Sequence, residues 1–138
     1  MILLDSSALI EYYQPSRDPA VRSVVAAAIA ADLAAVNGIV QVEILAFAAG
    51  EEERRLLASD FQAFHHLDLG PEQFNLACDL GFTLRRGGVT VPATDLIVAV
   101  SAISSQAELY YVDGHFDRIA EISDLKGWRL GAANLTSG

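Results

Sequence analysis

Apolar residues along the chain form short uninterrupted runs, which alternate with stretches of helical periodicity. The short runs predict strands at residues 2–4, 33–36, 109–112 and 128–130, with a short edge strand at 65–69. These runs lack the strict alternation of apolar and polar residues that is typical of a sheet with one solvent-exposed face. We therefore expect a parallel sheet that is covered by helices on both faces.

Helical spacing of the apolar positions predicts helices between these strands. Asp18 and Pro19 have the chemistry of an N-cap and a first helical residue, and apolar residues then recur at helical spacing through Ile29. Further helices are expected at 39–49, 51–64, 71–86, 92–105 and 116–122, and a turn at 5–7. Residues 132–138 are expected to be weakly ordered. The pattern predicts one α/β domain that spans residues 1–138.

The amino-acid composition adds to this prediction of one small domain. The chain has 138 residues, of which 52% are hydrophobic, against a usual share of about 45–50%. The excess predicts a deep core or an apolar face that another chain covers. No run approaches the roughly 20 apolar residues of a membrane span, and Asp5 interrupts the first run too early for a signal peptide. We expect a cytoplasmic protein with its only cysteine, Cys78, in the core.

The formal net charge is −9. Proteins that coat nucleic acid are usually basic, so the charge alone argues against that function. The objection weakens if several of the acids hold metal ions.

Four acids lie where acids are costly. Asp5 and Asp113 each end an apolar strand, whereas Glu43 and Asp95 lie inside apolar helices. A buried, unpaired carboxylate normally takes up a proton, and no Lys or Arg lies inside these four runs. A divalent cation would also neutralise them, and carboxylate oxygens suit Mg²⁺ or Mn²⁺ rather than Zn²⁺. The carboxyl ends of parallel strands meet at one crevice, where such a site would lie.

Each of these acids also has a purely structural interpretation. Asp5 could cap a helix, and Asp95 could be a first-turn acid that complements the helix dipole. Glu43 could face solvent, and Asp113, before Gly114, could be an ordinary turn residue. One shared metal site explains all four positions at once.

The segments around the four acids resemble the PIN domain family, and within it the VapC-type toxins of bacterial toxin–antitoxin pairs. The resemblance lies in residues 2–10, 42–45, 89–95 and 112–119, which read ILLDSSALI, VEIL, VTVPATD and VDGHFDRI. It implies a three-layer α/β/α fold and a metal-dependent endoribonuclease that forms a homodimer and is inhibited by a VapB-type antitoxin. It also implies an acidic quartet that binds Mg²⁺ or Mn²⁺, formed by Asp5, Glu43, Asp95 and Asp113.

Other residues carry weaker expectations. The resemblance implies that Ser7 is a hydroxyl near the metal, while Asp117 could assist or have a capping or surface role. Arg85 and Arg86 could hold the RNA backbone, or they could complement the dipole at a helix C-terminus. The three histidines, His65, His66 and His115, are expected to have structural or surface roles. Because a metal activates water rather than the RNA 2′-hydroxyl, products with 5′-phosphate and 3′-hydroxyl ends are expected.

Two other functions remain open at this point. A haloacid-dehalogenase-like phosphatase would use Asp5 as a nucleophile, but such enzymes carry a second acid two residues later, where this chain has Ser7, and the chain's only lysine is Lys126. A PIN-like domain could instead act as a non-catalytic binding or regulatory partner. The four intact acids argue against that interpretation.

Overall fold

A central sheet of five parallel strands organises the molecule. The computed structural model describes residues 1–14 and 18–131. The strands are β1 (Ile2–Leu4), β2 (Ala34–Val36), β3 (His65–His66), β4 (Glu108–Tyr111) and β5 (Lys126–Arg129). They lie in the order β3-β2-β1-β4-β5, and every neighbouring pair is parallel. The first strand of the chain is therefore the middle of the sheet, flanked by β2 and β4.

Seven helices within the described residues flank this sheet, which confirms the expected three-layer α/β/α fold. They are α1 (Ser6–Tyr13), α2 (Pro19–Ala30), α3 (Gly38–Leu45), α4 (Glu51–Ala63), α5 (Pro71–Arg86), α6 (Ala93–Ser104) and α7 (His115–Ile122). Asp18 caps α2 as expected, since its carboxylate accepts a hydrogen bond of 2.9 Å from the Ala20 amide. None of these helices has the length and apolar character that crossing a membrane requires.

The core is centred on the three inner strands. All residues of β1 and β2 are buried, and Leu3, Leu4 and Leu109 are fully enclosed. Burial of each such side chain contributes about 1.5–3 kcal/mol. Phe116 and Ile119 anchor α7 to the same core. The strand ends that border the expected site are therefore held rigidly.

The chain differs from the sequence-based expectations at several boundaries. Residues 5–7 do not form a simple turn, because Asp5 accepts a hydrogen bond from the Ser7 amide and starts α1 directly. Helix α3 ends at Leu45 rather than at residue 49, and the chain turns at 46–50 into α4, which leaves Phe47 exposed. Strand β3 is an edge strand as expected but has only two residues. The other edge, β5, is largely polar and exposed, as edge strands commonly are.

The expectation of a buried cysteine is wrong. Cys78 is exposed, because α5 buries Ala77 and Leu84 and leaves Phe74 and Phe82 on its outer surface. An apolar stripe at helical spacing therefore lies on the surface here. The tail expected to be weakly ordered, residues 132–138, lies outside the described residues.

Candidate active site

The candidate site lies at the carboxyl edge of the sheet, where β1 and β4 end side by side. Leu4 pairs with Tyr110, and the Asp5 amide donates a hydrogen bond of 3.0 Å to the Tyr110 carbonyl. Asp5 follows β1 directly, and Asp113 lies two residues beyond the end of β4. Parallel pairing thus brings two acids that are distant in sequence to one edge, as the sequence predicts.

Asp5 is at once a helix cap and a member of this site. Its side chain is buried, and its Oδ2 accepts hydrogen bonds from the Ser7 amide at 3.1 Å and from the Ser7 hydroxyl at 2.6 Å. Burial raises the pKa of Asp5, and the negative charge of Asp95 raises it further, while the hydrogen bonds from Ser7 oppose the shift. The capping interpretation of Asp5 is therefore true, and it does not remove Asp5 from the acidic group.

Ser7 ties Asp5 to the end of β4. Its hydroxyl oxygen donates to Asp5 and accepts from the backbone amides of Val112, at 2.9 Å, and Asp113, at 3.3 Å. A hydroxyl has one donor and two acceptor positions, so these three contacts use all of them. In this arrangement Ser7 orients Asp5 relative to Asp113.

A tight cluster forms where the first turn of α6 meets the start of α7. The imidazole Nδ1 of His115 lies 2.8 Å from Oδ2 of Asp95 and 3.1 Å from Oδ1 of Asp113. One ligand atom from each of the three side chains lies within 4.8 Å of the other two. Asp95 is buried, whereas His115 is exposed. This arrangement has the donor atoms and spacing of a metal site.

His115 was expected to have a structural or surface role, and the structure places it in this cluster. The local signal was its position two residues after a strand-end aspartate. The backbone amide of His115 donates to Oδ1 of Asp113 at 3.0 Å, a local turn that brings the imidazole to the acids. His65 and His66 instead contact backbone carbonyls of Asp32 and Phe61.

Glu43 joins the group from α3. Burial raises its pKa, and the charges of Asp5 and Asp95 raise it further, against a hydrogen bond from Ser6. Glu43 therefore does not simply face solvent, because its side chain is half-buried and its charge interacts with those of Asp5 and Asp95. Glu43 and Asp5 neighbour the Asp95–Asp113–His115 cluster without being part of it.

The site holds negative charge that no lysine or arginine of the described residues offsets. Burial raises the pKa of Asp95 and the charge of Asp113 adds to this, while the hydrogen bond from His115 lowers it. The hydrogen bond to Asp95 in turn raises the pKa of His115. Throughout residues 1–14 and 18–131, none of the four carboxylates forms an ion pair with Lys or Arg. A divalent cation would stabilise the ionised carboxylates, so the donor set fits Mg²⁺ or Mn²⁺.

The weaker candidates lie apart from this cluster. Asp117 accepts hydrogen bonds from the Tyr111 hydroxyl at 2.6 Å and from Arg129 at 2.7 Å, so both of its oxygens are engaged. Arg85 and Arg86 are exposed at the C-terminus of α5, and the guanidinium of Arg86 lies 5.7 Å from the centre of the Phe82 ring. The loop of residues 87–92 joins this end of α5 to the helix that carries Asp95.

A parallel α/β/α sandwich with an acidic site at the carboxyl edge of its sheet defines the class of this protein. The family model described as PIN domain matches residues 2–122, and the chain belongs to this family. The resemblance noted in the sequence is thereby confirmed at the level of the family.

Solved structures share the fold at low sequence identity. VapBC-1 from nontypeable Haemophilus influenzae has a similar chain with 21% identity and a TM-score of 0.74, covering 94% of this chain and 98% of that chain. FitAcB from Neisseria gonorrhoeae has a similar chain with 18% identity and a TM-score of 0.73, and the match covers 94% of this chain and 97% of that chain. VapBC2 from Rickettsia felis, bound to a DNA fragment from its promoter, has a similar chain with 18% identity and a TM-score of 0.72. The match covers 94% of this chain and 98% of that chain. No curated protein matches the chain.

Proposed function

We propose that the chain is a single PIN domain that cuts RNA with divalent metal ions, and that it is the toxin of a VapBC-type toxin–antitoxin pair acting in the cytoplasm. Nuclease activity and the use of divalent metals are general properties of PIN domains. The observation that carries the proposal is the convergence of Asp5, Glu43, Asp95 and Asp113 at one sheet edge, with no lysine or arginine partner in the part of the chain that the structure describes.

The chain's own residues have distinct roles in this proposal. The four carboxylates would hold Mg²⁺ or Mn²⁺, and Asp95 and Asp113 are close enough to share one ion. Ser7 acts through Asp5, because its hydroxyl fixes the orientation of that carboxylate. A bound divalent ion supplies an activated water and positive charge for the scissile phosphate. Without that charge the acids would repel the RNA backbone.

Contacts to the rest of the RNA come from outside the acidic group. We assign Arg85 and Arg86 to the RNA backbone, since they are exposed next to the loop that leads to Asp95. The hydrogen-bonded pair of Asp117 and Arg129 borders the start of α7 and supports the position of that helix. With a net charge of −9, binding of RNA depends on metal and on these few cations.

Two apolar surfaces are candidate binding sites for protein partners. One is a groove between α1, α3 and α4, which Glu43 lines together with Ile10, Ile44, Phe47 and Leu57. The other is the outer face of α5 with Phe74 and Phe82. Similar chains occur in solved VapBC and FitAB complexes. We propose that a VapB-type antitoxin occupies the groove beside Glu43, and that the chain forms a homodimer.

The direct test is RNA cleavage by the purified chain with EDTA, Mg²⁺ or Mn²⁺. We expect cleavage only with metal, and products with 5′-phosphate and 3′-hydroxyl ends. Asp95→Asn and Asp5→Asn should each lower the rate more than about 100-fold, since loss of even a supporting group at a metal site costs 10–100-fold. The control is Asp79→Asn, a change at an exposed aspartate on α5, which should leave the rate unchanged.

Each competing function predicts a different outcome of this test. Full cleavage in EDTA, or a 2′,3′-cyclic phosphate end, would exclude the proposed metal chemistry. A phosphorylated Asp5 trapped with a phosphate ester would favour a phosphatase. A folded chain that binds no Mn²⁺ and cuts no RNA would favour a non-catalytic domain.

A further inference from the structure

We propose that His115 supplies a nitrogen ligand, through Nδ1, to the divalent ion of this site, and that the site consequently prefers first-row transition ions such as Mn²⁺ over Mg²⁺. This inference rests on the proposed function and deepens it by naming a ligand outside the acidic quartet. Neither the sequence motifs nor the family match assigns this role to His115.

The first support is the distance between the donor atoms. Ligands on neighbouring corners of an octahedron lie about 3.0 Å apart when the metal–ligand bonds are about 2.1 Å. Nδ1 of His115 lies 2.8 Å from the Asp95 oxygen and 3.1 Å from the Asp113 oxygen. The imidazole nitrogen therefore already has the spacing of an adjacent ligand to both carboxylates. Nδ1, the nitrogen that faces them, is one of the two imidazole nitrogens that can bind a metal.

The second support is how His115 is held. It is the first residue of α7, and its backbone amide donates to Asp113. The next residue, Phe116, is fully buried, and one helical turn later Ile119 is buried too. The backbone at His115 is thus fixed on both sides, while its side chain remains 48% exposed. An exposed ligand leaves room on the solvent side for water or phosphate at the same ion.

The chemical consequence follows from the kind of donor. Imidazole is a ligand of first-row transition ions, whereas Mg²⁺ takes oxygen ligands almost exclusively. A site with two carboxylates and one imidazole should therefore bind Mn²⁺ or Co²⁺ more tightly than Mg²⁺. If His115 only hydrogen-bonds to Asp95 and Asp113, its removal should weaken the binding of all these ions equally.

The experiment uses the Mn²⁺-loaded protein and pulsed electron paramagnetic resonance, which detects nitrogen bonded to Mn²⁺. We expect a histidine nitrogen coupling in the wild type that is lost in His115→Ala. The matched control is His65→Ala, because His65 is also paired with an aspartate, at 3.1 Å from Asp32. His65→Ala should keep the coupling. In calorimetric titration, His115→Ala should lose about tenfold in Mn²⁺ affinity and clearly less in Mg²⁺ affinity.

The outcomes separate this inference from the proposed function. Mn²⁺ that binds to the wild type and supports RNA cleavage, but shows no nitrogen coupling, overturns the role of His115 and leaves the nuclease intact. A wild type that binds no Mn²⁺ overturns both. The wild-type spectrum decides the question even if His115→Ala does not fold. An equal loss of Mn²⁺ and Mg²⁺ affinity in that variant also overturns the inference.

Discussion

At the scale of single residues, the hydroxyl of Ser7 connects the two strand-end acids. It donates to Asp5 and accepts from the amides of Val112 and Asp113. Ser7→Ala should destabilise the fold by about 1–3 kcal/mol, because two part-buried amides lose their acceptor and a carboxylate loses its donor. Urea unfolding measures the change, and Mn²⁺ titration should show weaker binding.

A serine without such contacts in the described part of the chain, Ser101, provides the control. The Ser101 hydroxyl is buried and has no hydrogen-bond partner among the described residues. Ser101→Ala removes an unsatisfied polar group, so it should be neutral or stabilising. If both variants lose the same stability, the three contacts of Ser7 contribute nothing specific.

The sequence revealed the acids of the site better than it revealed the histidine. Asp5 and Asp95 were recognisable because a carboxylate in an apolar run conflicts with the cost of burying charge. His115 creates no such conflict, since an exposed histidine after a turn is ordinary. Its partner Asp95 is twenty residues away, and only the folded chain shows that the two side chains meet.

At the scale of elements, the cap of α3 controls the helix that carries Glu43. Asn37 is fully buried, and its Oδ1 accepts a hydrogen bond of 3.0 Å from the Val40 amide. Asn37→Ala should cost about 1–2 kcal/mol of stability through loss of the cap, and it should also weaken Mn²⁺ binding. Thermal unfolding and calorimetric titration measure the two effects.

The cap of α2 is a matched control for this prediction. Asp18 caps its helix in the same way, by accepting from the Ala20 amide, but α2 carries none of the four acids. Asp18→Ala should lower stability and leave the Mn²⁺ affinity unchanged. Equal effects of both variants on metal binding would show that Asn37 has no particular influence on Glu43.

Strand and helix order could be predicted from the sequence, whereas several boundaries could not. Buried runs such as β1 and periodic helices such as α6 carry strong local signals. Helix α1 was anticipated only as an alternative in which Asp5 caps a helix, because the strand-end aspartate and the two serines after it are as typical of a turn as of a cap. Strand β5 was expected at residues 128–130, but its pairing with β4 begins at Lys126 and ends at Arg129, a boundary that depends on the neighbouring strand rather than on the local sequence.

At the scale of the whole molecule, the metal-free protein should gain stability as the pH falls. Burial raises the pKa of Asp5, Glu43 and Asp95, and the hydrogen bond to Asp95 raises that of His115. The folded protein therefore takes up protons at these groups at a higher pH than the unfolded chain, so their contribution to stability grows as the pH falls towards their ordinary pKa values, 6.5 for the histidine and 3.8–4.5 for the carboxyls. Unfolding by urea in EDTA measures the trend.

Saturating Mn²⁺ should reverse this trend. Metal ligands must be deprotonated, so the ion stabilises the folded state most at the higher pH. An equal gain in stability on acidification with and without Mn²⁺ would mean that the ion and the protons do not compete for the same groups.

We expect the groove beside Glu43 to determine binding of the proposed VapB-type antitoxin. Phe47 is 82% exposed at this groove, while Phe82 is 65% exposed on α5. Phe47→Asp should weaken binding of the antitoxin by at least about tenfold, as for loss of an aromatic anchor. Phe82→Asp should leave that affinity unchanged. Titration of each variant with purified antitoxin tests this, and the reverse order of effects would place the antitoxin on α5.

We propose above all that the carboxylates at the carboxyl edge of the sheet bind a divalent ion, with Asp95 and Asp113 sharing it. Anomalous scattering from Mn²⁺-soaked crystals tests it most directly. We expect a manganese peak bonded to Asp95 and Asp113, with Asp5 and Glu43 facing the same ion or a second one beside it. Manganese found only at surface acids such as the first turn of α4, with this site empty, would contradict the account.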